Sequence, residues 1–102
     1  MNDLRKLSEY IYDIANNEYV MHKEDLKFAL NYFIEEEEYE KCAFLRDLIE
    51  RKGFDNTKTC WSSMYYEMSG ASESVNNLFI ALKAMKKMAV TIHDFHEKIK
   101  PI

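Results

Sequence analysis

Residues 73–98 read ESVNNLFIALKAMKKMAVTIHDFHEK, and this stretch decides the fold. Val75, Leu78, Leu82, Met85, Ala89, Ile92, His96 and, just beyond it, Ile99 recur at alternating steps of three and four residues. That spacing places them along one side of an α-helix. A second apolar set, Phe79, Ile80, Met88, Val90 and Phe95, widens the stripe beyond the narrow seam of a two-stranded coiled coil. At 1.5 Å per residue such a helix spans about 40 Å. Ser72 is the expected N-cap, and Pro101 stops the helix. A helix that is apolar on more than one side needs more than one neighbour to cover it.

The chain upstream supplies those neighbours. Trp61, Met64, Tyr65 and Met68 suit a helix of two turns, preceded by a turn at Asp55-Asn56-Thr57. Further back, Leu26, Ala29, Leu30, Phe33 and Ile34 form a full helical stripe. Tyr39, Cys42, Ala43, Leu45, Leu48 and Ile49 form another. Ile34 to Tyr39 is out of step with the helical period by about 140°. The two stripes are therefore read as an antiparallel hairpin turning at Glu35-Glu36-Glu37-Glu38, with the helices approaching closely at Cys42 and Ala43. Gly53 is expected at the left-handed position after the second helix, near Arg51 and Lys52. A first helix from Asn2 to Ala15 carries Leu4, Leu7, Ile11 and Ile14, with Asn2 as N-cap and a left-handed stop at Asn16-Asn17. The link Tyr19-Val20-Met21 leads to the next helix near His22 or Lys23.

Composition agrees with this organisation. Two glycines and one proline in 102 residues leave few breakers for an all-β sandwich. Hydrophobic residues make up 47%, enough for one core. The expectation is one domain over 1–102, an all-α bundle of four or five helices with a hairpin and a long C-terminal helix. Eighteen acidic against fourteen basic residues give a net charge of −4. That balance argues against a general nucleic-acid binder, which needs a basic face. No apolar run approaches the roughly 20 residues of a spanning helix. MNDLRKLSEY lacks the apolar stretch of a signal peptide, so a cytoplasmic protein is expected. Cys42 and Cys60 are then free thiols, Cys42 a buried small hydrophobe.

One segment carries family information. Glu37-Glu38-Tyr39-Glu40-Lys41-Cys42-Ala43-Phe44-Leu45-Arg46-Asp47-Leu48-Ile49 resembles the UVR motif. The usual pattern there is an acidic stretch, a Tyr or Phe, Glu, Lys, two small residues, then Leu-Arg-Asp and an aliphatic. The resemblance covers residues 26–52. It implies a short helical hairpin used for docking and self-association, as in excision-repair nuclease subunits and protease-chaperone partners. On that resemblance the partner-docking residues are Tyr39, Glu40, Phe44, Arg46 and Asp47. Tyr39 would staple the start of its helix, and Arg46 and Asp47 would pair across the hairpin. Cys42 replaces the commoner Ala, and Phe44 is bulkier than the usual polar residue. Phe44 is thus either an interface residue or covered by the last helix.

Other constellations are weaker. His93, His96 and Glu97 lie at helical spacings that suit a metal ion, which is the reading of a metal-dependent helical enzyme. The duller reading, a polar last turn favourable to the helix dipole, is preferred. The glutamate run reads as a solvated turn. Trp61, Tyr65 and Tyr66 with Tyr10, Tyr12 and Tyr19 suit an adaptable contact surface as well as a core. No nucleophile–base arrangement or phosphate-binding loop is present in the sequence, so no catalysis and no cofactor are expected. The expected function is protein–protein interaction or regulation through helical faces. The protein is expected to self-associate, a dimer being favoured. Its interface would be Phe79, Ile80, Met88, Val90 and Phe95, because the long helix is apolar on several sides. The Asn, Lys, Ile and Tyr content suits an AT-rich genome. The alternative form is therefore a phage-encoded inhibitor of a host enzyme, or one that sequesters a signalling nucleotide.

Overall fold

In the computed structural model, residues 2–99 are described, and they form five helices: α1 Asp3–Asn16, α2 Lys23–Glu35, α3 Tyr39–Glu50, α4 Trp61–Met68 and α5 Ser72–Ile99. Asn2 caps α1 as expected, its Oδ1 accepting the N–H of Leu4 at 3.0 Å and of Arg5 at 3.3 Å. His22 caps α2 through Nδ1, which accepts the Glu24 N–H at 3.0 Å. α5 begins at Ser72 itself, one residue earlier than the expected cap allows. No helix among the described residues is long and apolar enough to cross a membrane.

α2 and α3 form the expected hairpin, turning at Glu36–Glu38. α1 packs on α2, and α5 lies against α1 and α4. α1 and α5 run parallel. Lys6 Nζ sits 4.7 Å from the Phe79 ring centre, and further along Lys86 Nζ meets Asp13 at 3.0 Å. The core comprises Leu7, Ile11 and Ile14 of α1, Leu26, Ala29 and Phe33 of α2, Cys42, Leu45 and Leu48 of α3, and Val75, Leu78, Phe79 and Leu82 of α5. Each large apolar side chain removed from water contributes about 1.5–3 kcal/mol. The bundle is elongated, 50 × 27 × 26 Å, because the 28 residues of α5 outrun their neighbours.

The chain ends α1, α2 and α3 in the same way. In each case two backbone bonds close the last turn, for example Glu38 N–H to Phe33 O at 2.9 Å and Glu37 N–H to Ile34 O at 3.1 Å. The left-handed positions are Glu18, Glu37 and Lys52, with φ of 64°, 57° and 56°. Two sequence expectations are corrected here. Asn17 keeps φ at −93°, and the left-handed residue is its successor, Glu18. Gly53 has no positive φ, and Lys52 takes that conformation instead. Gly53 is needed for closeness, since a Cβ there would lie 2.9 Å from Leu48 Cδ2.

Three hairpin details also differ from the sequence reading. Cys42 is buried, but Ala43 is exposed and takes no part in helix–helix approach. Tyr39 is 69% exposed and staples nothing. Asp47 pairs along its own helix with Arg51 Nε at 3.1 Å instead of across the hairpin.

Candidate interaction surfaces

The outer face of α3 holds four of the five residues expected to dock a partner. Tyr39, Glu40, Arg46 and Asp47 are all exposed, with Ala43 and Glu50 between them. The fifth, Phe44, turns inward. Its ring stands edge-on to Tyr12 of α1 at 5.5 Å, so α1 covers it and not the last helix. α3 therefore presents a polar strip flanked by Tyr39.

The glutamate turn is organised by a cation from α1. Arg5 meets Glu9 at 3.0 Å, Glu36 at 3.3 Å and Glu38 at 3.9 Å. Tyr32 donates its hydroxyl to Glu36 at 2.8 Å, and Lys41 pairs with Glu38 at 3.2 Å. Desolvation and the bond to Glu36 raise the Tyr32 phenol pKa above its ordinary value, so it stays a donor. The run of carboxylates is thus partly neutralised within the fold.

The structure divides the expected self-association residues among three environments. Phe79 is a correction: it is only 5% exposed, lying under Lys6 and beside Tyr10 and Tyr65, so it belongs to the core. Ile80 and Val90 line an apolar groove between α5 and α1. Met88 and Phe95 lie on a third side, in register with Ile92 and Ile99. These four occupy steps of four, three and four residues, with exposures of 46%, 41%, 58% and 60%. The seam read from the sequence stays buried only to Ala89, and Ile92, His96 and Ile99 beyond it face solvent. α1 ends before this part of α5, which has no packing neighbour among the described residues. The spacing of Met88, Ile92, Phe95 and Ile99 was itself the available signal, obscured because Ile92 and Ile99 also fit the inner seam.

Most of the aromatic cluster serves the core. Tyr10, Tyr12, Tyr19, Trp61 and Tyr65 are half-buried against it, while Tyr66 is exposed. Among the described residues no group of three or more His, Cys, Asp or Glu side chains is placed to hold a metal ion. His93 approaches Asp94 at 3.9 Å and Glu97 at 4.0 Å on its own helix. Cys42 and Cys60 are both free thiols.

One buried polar node escaped the sequence reading. Asp25 is fully buried, and its carboxylate accepts the N–H groups of Trp61 at 3.0 Å and Ser62 at 2.8 Å. Cys60 Sγ lies 3.7 Å from the same carboxylate. Asp25 stands in the first turn of α2 and at the start of α4, where its carboxylate satisfies N–H groups that α4 itself leaves without a partner. Its role is structural: it fixes α4 on α2.

These features define an all-α bundle with exposed helical faces. The chain matches no family model, no curated protein and no solved structure.

Proposed function

We propose that this is a non-catalytic interaction protein that self-associates through the second half of α5 and offers the outer face of α3 to another protein. The observation that carries the reading is the exposed stripe Met88, Ile92, Phe95 and Ile99 on a helix that outruns its bundle. A helical segment of about ten residues is marginal in water on its own. Packing against a second copy supplies the missing cover, and its steps of four and three residues suit a paired helix. A two-fold dimer joins identical stripes without leaving an open end. The resemblance of residues 26–52 to the UVR motif supports docking by α3, where Tyr39, Glu40, Arg46 and Asp47 are accessible.

Amide hydrogen exchange on α5 tests the proposal. The amides of residues 90–99 are expected to gain protection as protein concentration rises. Rapid exchange at every concentration overturns self-association through this segment.

A further inference from the structure

A different side of α5 carries an open groove of about 590 Å³, lined by seven residues of α5 and by Tyr10 of α1. Its floor is Ile80, Ala84 and Val90 of α5 with Tyr10 of α1. Ile80 is 66% exposed, the second most exposed large hydrophobic residue of the described chain. Lys83 and Lys87, one helical turn apart, line the same face between Ile80 and Val90. Lys86 is occupied, bridging to Asp13 at 3.0 Å. Among the described residues Lys83 and Lys87, like Lys6, Lys23, Lys52, Lys58 and Lys98, have no carboxylate within ion-pair distance, whereas Lys27, Lys41 and Lys86 each have one. On a chain of net charge −4, a groove lined by both apolar side chains and uncompensated cations is complementary to a ligand that is apolar and acidic at once.

We propose that the α1/α5 groove binds an acidic amphipathic helix of a partner protein. The apolar stripe of that helix lies over Ile80 and Val90, and its carboxylates meet Lys83 and Lys87. From Ile80 to Thr91 the groove runs about 17 Å, three turns of helix, which fits apolar anchors at i, i+3 or i+4, and i+7. A chain of net charge −4 is repelled as a whole by an anionic bilayer, which favours a short acidic segment over a membrane surface. Two uncompensated lysines are few for tracking a phosphate backbone, whose affinity grows with the number of charges neutralised. This proposal does not depend on the dimer, because Ile80 and Val90 lie away from the stripe that contains Met88 and Phe95.

The test uses the full chain and a fluorescently labelled amphipathic peptide with leucines at helical spacing flanked by glutamates. Anionic phospholipid vesicles and a single-stranded oligonucleotide are assayed in parallel. The acidic peptide is expected to bind saturably and more weakly as salt rises. The doubly reversed variant Lys83→Glu with Lys87→Glu is expected to bind at least tenfold more weakly while its circular dichroism is unchanged, since both side chains are exposed. The same peptide with lysines for glutamates is expected to recover binding to that variant. Binding that ignores the charge reversal overturns the proposal. So does absence of peptide binding, or preference for the vesicle or the oligonucleotide.

Discussion

The carboxylate of Asp25 on α2 accepts the Ser62 amide N–H at 2.8 Å and thereby caps α4 from another helix. Cys60, the residue at the N-cap position, makes no side-chain cap bond of its own. Removing the carboxylate leaves buried N–H groups without an acceptor. Asp25→Ala is expected to cost about 2 kcal/mol or more, and Asp25→Asn, which retains one acceptor, about 1 kcal/mol. Urea denaturation followed by Trp61 fluorescence measures both. An alanine variant as stable as the wild type would remove Asp25 from its capping role.

The left-handed ends of α1, α2 and α3 give a second prediction. Glu18, Glu37 and Lys52 hold a conformation that costs a residue with a Cβ roughly 1 kcal/mol. Each of Glu18→Gly, Glu37→Gly and Lys52→Gly is expected to raise stability by up to about 1 kcal/mol, less whatever glycine adds to the unfolded chain's entropy. Gly53→Ala is expected to cost about 1 kcal/mol as Leu48 gives way. Denaturation midpoints with unchanged slopes would confirm both signs.

Cys42 and Ala43 are adjacent and face opposite ways. Ala43→Glu is expected to change stability by no more than about 0.5 kcal/mol, mostly through repulsion with Glu40 and Asp47 one turn away. Cys42→Asp, which buries a charge in the hairpin, is expected to cost about 3 kcal/mol or more. Thermal denaturation of the pair decides which residue lies between the helices.

Ser8 is fully buried, and its hydroxyl finds no hydrogen-bond partner among the described residues. Alanine removes that unpaired group and is the better helix former. Ser8→Ala is expected to gain about 1 kcal/mol. A loss of stability on calorimetry would show that the hydroxyl has a partner in solution.

Much of the fold was legible because it is written in local patterns. The cap at Asn2, the start of α2 near His22, the two turns of α4 and the hairpin break at the glutamates each depend on a few consecutive residues. The Asp25–Ser62 bond was not legible, because it joins residues 37 positions apart through geometry that only the assembled bundle creates. The left-handed residues were misplaced by one position at Asn17 and Gly53, since hydrogen-bond closure of the last turn outweighed residue preference. For α5, periodicity gave the apolar faces but not their neighbours. Phe79 and Ile80 are adjacent, yet α1 and α4 cover the first and leave the second open.

Sedimentation over a wide concentration range, for the wild type and for Ile92→Asp and Phe95→Asp, bears most directly on self-association through α5. The wild type is expected to sediment as a dimer that dissociates on dilution. Both variants are expected to remain helical and run as monomers, because the two side chains are exposed within the single chain. A wild type that stays monomeric throughout, or variants that still dimerise, would contradict it.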